Sequence, residues 1–244
     1  MKSCNILISC YNEKPEWLLT CIGSLSAQNI PDNYTVKIII GVDNCEQTKE
    51  LFRENKIPFY YPEKNIGLFA MVDSMIAVSP ADIYLLFDAD DIAYPEYIMT
   101  MIKMVEEHGF FKAPFDVGDS ELNTIKPHRK LAGRIGVRAD IYKKLGGFYH
   151  YRSYCDTDFS NRAKAFINLD NIKTAENRLP ALYIRRLHET SNTAITDYMV
   201  GGKYYNEIKT KLRTRLRRKV YRIKPEITVL KREAVNENCY LLLQ

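Results

Sequence analysis

The first hundred residues alternate between two patterns. Short unbroken apolar runs, each of strand length, are followed by longer stretches in which apolar positions recur every three or four residues. Residues 3–10 (SCNILISC) form the first run, which stops at the turn-like YNEKP. Residues 15–28 (PEWLLTCIGSLSAQ) place apolar groups at 18, 21, 22 and 25, the spacing of one helix face, with Pro15 suited to a first helical position. The alternation continues with a strand at 35–44 (TVKIIIGVDN), a helix in QTKELFREN and a strand in IPFYYPE. A helix at 68–79 (LFAMVDSMIAVS) and a fourth strand in ADIYLLFDADD complete it. Strands separated by helical stretches predict βαβ units: an α/β fold with a mostly parallel central sheet flanked by helices.

The second half is less regular. YPEYIMTMIKMVEEHG predicts a helix closed by Gly109, and GRIGVRADIYKKLGGF a short strand, a helix and a glycine turn. CDTDFSNRAKAF predicts a helix with two carboxylates in its first turn, where the helix dipole favours them. Residues 112–133 (KAPFDVGDSELNTIKPHRKLAG) have few apolar anchors and read as a mobile loop. No internal repeat or low-complexity linker divides the chain, so one domain over 1–200 with an extension over 201–244 is expected.

Charge changes this picture at one place. The net +5 is unevenly carried, because residues 203–224 hold ten Lys and Arg against the single Glu207, leaving the remainder mildly acidic. Apolar groups at 204, 208, 212, 216 and 220 keep to one drifting helical stripe, so the extension is expected to be a basic helix. Such a helix suits packing on the body, an anionic membrane surface or nucleic acid. No apolar stretch approaches the roughly 20 residues of a bilayer span. The N-terminal MKSCNILISCYNE turns polar too soon for a secretory signal, so a cytoplasmic protein, peripheral at a membrane at most, is expected. The six cysteines (4, 10, 21, 45, 155 and 239) form no C-x-x-C pair and are expected to be reduced thiols.

Candidate chemistry gathers at the strand ends. In parallel sheets ligands bind beyond the carboxyl ends of the strands, and Tyr11, Asp43, Asp88, Asp90 and Asp91 all fall there. Asp88 and Asp90 flank Ala89, and side chains two apart in an extended segment share a face. Hard oxygen ligands in that arrangement suit Mg²⁺ or Mn²⁺, which take diphosphate oxygens as further ligands.

The ordered set ISCYNEKPEWLLTCIGSLSAQ, IIIGVDNCEQT, NIGLFAMVDSMIAVSPADIYLLFDADDIAYP, GVRADIYKKLGGF and CDTDFSNRAKAF resembles a GT-A-fold (Rossmann-like) glycosyltransferase of the family 2 type. The resemblance runs from residue 8 to about 166 and implies a nucleotide-sugar half over about 1–100 and an acceptor half over about 101–200. By this resemblance Tyr11 and Glu13 lie around the nucleotide base and ribose, and Asp43 accepts from a pyrimidine imide. Asn65 and Gly67 lie beside the donor, and Asp88 and Asp90 are the D-x-D that reaches the ribose and a metal-bound diphosphate. His188 resembles the late histidine that completes the metal site, whereas His108, His128 and His150 match nothing. Asp156 lies where the family's catalytic base sits, Asp158 is the fallback, and Arg162 follows four residues later. Two departures stand out. Cys155 replaces the usual acidic neighbour of the base, removing a like charge, and Asp73 and Val72 stand where Asn and Arg are common.

The resemblance therefore implies a metal-dependent, inverting glycosyltransferase using a nucleoside-diphosphate sugar, a UDP-sugar favoured, with Mn²⁺ or Mg²⁺. The expected acceptor is a hydroxyl of a glycan or lipid-linked saccharide. A phage-type DNA glycosyltransferase acting on hydroxymethylated pyrimidines is the alternative, which would give the basic segment a nucleic-acid partner. A nucleotidyltransferase is disfavoured because SCYNEKPEW contains no glycine for a phosphate loop. A non-catalytic nucleic-acid-binding protein is the rival from another class.

Overall fold

Strands β1 (Lys2–Cys10), β2 (Tyr34–Val42), β3 (Phe59–Tyr61) and β4 (Ile83–Asp88) alternate with helices α1 (Pro15–Ser26), α2 (Glu46–Glu54) and α3 (Leu68–Val78). The computed structural model describes residues 1–128, 134–150, 155–167, 179–188, 227–234, 238 and 240–243. The basic stretch 203–224, the expected helix within it and Cys239 lie outside the described residues. Further along come β5 (Ile92–Ala93), α4 (Tyr97–His108), β6 (Phe110–Lys112), β7 (Phe115–Gly118), β8 (Ile125–His128) and β9 (Ile135–Arg138). The described chain ends with α5 (Ala139–Leu145), α6 (Cys155–Ala163), β10 (Tyr183–Arg186), β11 (Lys231–Glu233) and β12 (Leu241–Leu243).

The main sheet runs β11-β3-β2-β1-β4-β9-β6, with β12 on β2. Its centre is parallel: β1 pairs with β2 and β4, and β2 with β3. β9, β6, β11 and β12 join antiparallel. The central strands carry apolar runs at 6–8, 38–40 and 83–87 because both of their faces are covered there. Ile6, Ile8, Ile38, Ile40, Leu85 and Phe87 point to one layer, packed under α1, α2 and α4. The intervening Leu7, Ile39, Tyr84 and Leu86 point to the other, under α3, α5 and α6. The period-two alternation thus sorts one apolar run into two cores. Gly109 closes α4 in the left-handed conformation, as the sequence predicts.

The expected loop over 112–133 is corrected. Phe115–Gly118 and Ile125–His128 form an antiparallel hairpin in a second sheet of order β5-β10-β7-β8. Its turn is built by Asp119, whose carboxylate accepts from the backbone N–H groups of Glu121, Asn123 and Thr124 at 3.1, 2.9 and 2.9 Å. Its apolar anchor is remote in sequence: buried Phe115 stacks on Tyr183 of β10 at 5.4 Å between ring centroids. Among the described residues, no helix is long and apolar enough to cross a membrane, and the described cysteines are free thiols.

Candidate functional site

Register fixes which residues meet at the carboxyl edge. Cys10 pairs with Val42 and Ser9 with Asp88, so the chain leaves β1, β2 and β4 side by side. Tyr11 leaves β1 with its ring exposed, and its N–H donates to Glu13 Oε2 at 2.8 Å, folding the first loop on itself. Burial pushes the Glu13 carboxyl up; the Tyr11 N–H pulls it down, and nearby Asp90 and Asp88 push it up again. Asp43 leaves β2 almost fully buried. Ile66 and Gly67 each donate a backbone N–H to it at 2.7 Å, and Asn65 Nδ2 donates to its backbone carbonyl at 3.2 Å. Burial raises the Asp43 carboxyl, against those two N–H groups. Gly67 has φ +84°, a conformation open to glycine, which lets this loop close on Asp43 and then start α3.

Asp88, Asp90 and Asp91 offer carboxylate oxygens within 4.8 Å of one another. Their surroundings differ. Asp91 is fully buried; Oδ2 accepts from Arg134 Nε at 2.8 Å and Oδ1 from the Arg186 N–H at 3.1 Å. Arg134 also pairs with Asp88 Oδ2 and so bridges the two carboxylates. Asp90 Oδ2 faces His188 Nε2 at 2.8 Å. Arg186 donates from Nε to the Asp90 carbonyl at 3.0 Å and from a terminal nitrogen to the Ser120 carbonyl. Trp17, the only tryptophan in the sequence, lies under this group, with its ring 4.7 Å from that of His188 and 5.0 Å from the Arg186 guanidinium. Burial pushes Asp88 and Asp91 up; the Arg134 charge opposes it in both, and the neighbouring carboxylates add to it.

The helix α6 brings its two first-turn carboxylates to different environments. Asp158 is buried, and its Oδ2 accepts from Arg162 Nε at 2.8 Å. Arg162 also donates to the carbonyls of Leu145 and Gly147 at 2.6 and 2.9 Å, so this pair ties α6 to the end of α5. Burial raises Asp158, with Arg162 opposing. Asp156, in the first turn of α6, is partly exposed, and, well behind burial, its charge adds to the upward push on the Asp88 carboxyl. Asp73, inside α3, is buried and accepts from Tyr142 Oη at 2.7 Å, Phe148 N–H at 3.1 Å and His150 Nε2 at 2.9 Å. The turn leading towards α6 is therefore pinned from both sides.

The donor set fits a divalent cation. Metal bonds of 2.0–2.1 Å at right angles place adjacent ligand atoms roughly 2.9 Å apart, and the 2.8 Å hydrogen bond between Asp90 Oδ2 and His188 Nε2 has that spacing. Carboxylates with one imidazole suit Mn²⁺ or Mg²⁺, the imidazole favouring Mn²⁺. Asp91 is committed to Arg134 and the Arg186 N–H. Asp88 shares Arg134 at the rim and Asp90 faces His188, so Asp88, Asp90 and His188 are the residues that could hold an ion.

The model of the family described as glycosyl transferase family 2 matches residues 5–169. The chain belongs to glycosyl transferase family 2. No curated protein sequence matches it. Among solved structures, S. aureus TarS 1–349 in complex with UDP-GlcNAc is similar with a TM-score of 0.59 at 15% identity, over 80% of this chain and 61% of that one. The mannosyltransferase PcManGT from Pyrobaculum calidifontis, in complex with GDP-Man and Mn²⁺, gives 0.54 at 11%, over 66% and 51%. GalNAc-T7 with UDP, GalNAc and Mn²⁺ gives 0.54 at 13%, over 60% and 37%. These likenesses show the fold, and the chain spans about three fifths of the TarS structure.

This family 2 chain brings Tyr11, Glu13, Asp43, Asn65, Gly67, Asp88, Asp90 and His188 to one edge, and leaves Asp156 partly exposed on α6. It turns Asp158 inward. Arg134, Arg186 and Trp17 also belong to the site, and sequence reasoning missed all three. Trp17 carried a faint signal as the lone tryptophan directly after the first loop. The two arginines carried none, since their partners lie on distant segments.

Proposed function

We propose that this chain is a metal-dependent, inverting glycosyltransferase that moves a sugar from a nucleoside-diphosphate sugar to a hydroxyl of a glycan or lipid-linked saccharide. The observation that carries the reading is the cluster of Asp88, Asp90 and Asp91 at the carboxyl edge, with His188 on Asp90. The donor half supplies Tyr11 as a stacking face for the base. Glu13 lies by the ribose, and the free lone pairs of Asp43 accept from a pyrimidine imide, which favours a UDP-sugar. Asp43 also holds the Asn65–Gly67 loop beside the donor. Asp88, Asp90 and His188 would hold Mn²⁺ or Mg²⁺, which when bound offsets the charge of the departing diphosphate.

Asp156 accepts the proton of the acceptor hydroxyl as its oxygen bonds to the anomeric carbon. The bond from that carbon to the diphosphate oxygen breaks, and the diphosphate leaves with the electron pair. Asp158 is a poor base by comparison, because its carboxylate is buried against Arg162. The test is nucleoside-diphosphate release from a panel of nucleotide sugars with Mn²⁺, with glycan, lipid-linked and hydroxymethyl-pyrimidine DNA acceptors in separate arms. Release should need metal and vanish in Asp90→Ala, and Asp156→Asn should lose turnover while still binding donor. Near-native rates in Asp156→Asn would sink the base assignment, and stimulation by the DNA alone would move the acceptor to nucleic acid.

A further inference from the structure

The guanidinium of Arg134 touches a proposed metal ligand, Asp88, directly. Its side chain is mostly buried, and its guanidinium spans from Asp91 to Asp88 Oδ2. Asp91 needs this partner, since a fully buried carboxylate is costly without a countercharge. Asp88 shares it: its side chain is partly exposed at the rim of the site, yet burial pushes its carboxyl up, and the Arg134 charge, with a smaller share from Arg185, opposes this. A divalent ion arriving at Asp88, Asp90 and His188 therefore meets a ligand whose charge is already shared, and a guanidinium that repels it. A diphosphate arriving with the ion brings compensating negative charge.

We infer that Arg134 is a positioning residue, a built-in counterion that weakens cation binding to the carboxylates alone and makes uptake of the cation depend on the donor's diphosphate. The inference rests on the proposed function for the identity of the site. The arginine acts through Asp88 and takes no part in the proton transfer. Its effect is one of charge: a lysine reaching the same carboxylates reproduces it, and a neutral side chain of similar length does not.

The test is Mn²⁺ binding to the full chain, followed by loss of the free-ion electron paramagnetic resonance signal, with and without UDP. Wild type should bind Mn²⁺ at least tenfold more tightly with UDP present. Arg134→Gln should bind Mn²⁺ alone at least tenfold more tightly than wild type, about 1.4 kcal/mol, with the gain from UDP reduced to match. Arg134→Lys should behave as wild type does. Should Arg134→Gln fail to fold because Asp91 is stranded, Asp91→Asn and Asp91→Asn/Arg134→Gln give the same comparison without the buried charge, and the double variant should bind the more tightly. Equal Mn²⁺ affinity within either pair, with folding intact by circular dichroism, would overturn this inference and leave the proposed function standing. No Mn²⁺ binding by any form, with or without UDP, would overturn both.

Discussion

Replacing Asp73 by alanine removes one acceptor that three donors share: Tyr142 Oη, the Phe148 N–H and His150 Nε2. Phe148 is fully buried and Tyr142 and His150 are partly so, hence water restores little of what is lost. Burial, followed by the Asp73 charge, pushes the Tyr142 phenol up, so it stays a donor. Each buried donor left without a partner costs about 1–3 kcal/mol. With the most exposed of the three, His150, partly resolvated, the sum is about 3–5 kcal/mol, a large share of the roughly 5–15 kcal/mol that holds a domain together. For a chain of this size that lowers the melting temperature by about 10 °C. Asp73→Asn is the informative control. Its amide oxygen still accepts from Phe148 and His150, and its NH₂ donates to the Tyr142 oxygen, so only the Tyr142 O–H proton loses its acceptor and the cost stays at about 1 kcal/mol. Urea unfolding of both variants decides the matter. If alanine cost less than about 1 kcal/mol, or asparagine cost as much as alanine, donor satisfaction would not be what Asp73 provides.

Two further predictions concern groups outside the reacting edge. Among the described residues, the fully buried Tyr97 hydroxyl has no hydrogen-bond partner, so Tyr97→Phe should leave stability unchanged or raise it by about 1 kcal/mol in urea unfolding, and a loss beyond that would show that the hydroxyl is partnered. The Asp119 carboxyl is held below its ordinary range: desolvation raises it, but three backbone N–H groups together outweigh that. A depressed carboxyl stabilises the fold above its unfolded pKa and loses that contribution as pH falls through the folded one. Hydrogen-exchange protection in residues 121–124 should therefore fall on acidification below about pH 4, and Asp119→Asn should flatten that dependence.

The sheet was legible because its signals are local. The runs SCNILISC, TVKIIIGV and IYLLFD each announce a strand buried on both faces, and alternation within them already contains the two cores. Asp43, Asp88 and Asp90 were legible for the same reason, as polar residues standing where such runs stop. The hairpin β7–β8 was not, because its anchor is a stacking of Phe115 on Tyr183 and its turn is organised by one side chain across five residues. Asp73 was visible as a departure from the family pattern, yet its partners on α5 and the following turn were not.

The balance of charge at the site shows where sequence reading stops. Three carboxylates whose oxygens lie within 4.8 Å repel one another when charged, and positive partners nearby relieve that repulsion. Those partners come from afar: Arg134 lies 43 residues from Asp91, the Arg186 N–H 95 residues from it, and His188 98 residues from Asp90. The sequence holds 35 Lys and Arg, with nothing local to single out two of them. The densest basic stretch is 203–224, but Arg134, whose guanidinium balances Asp88 and Asp91, stands directly before β9. Like-charge repulsion favours a countercharge, and the pairing of β9 with β4 beside the acidic turn determines that Arg134 supplies it.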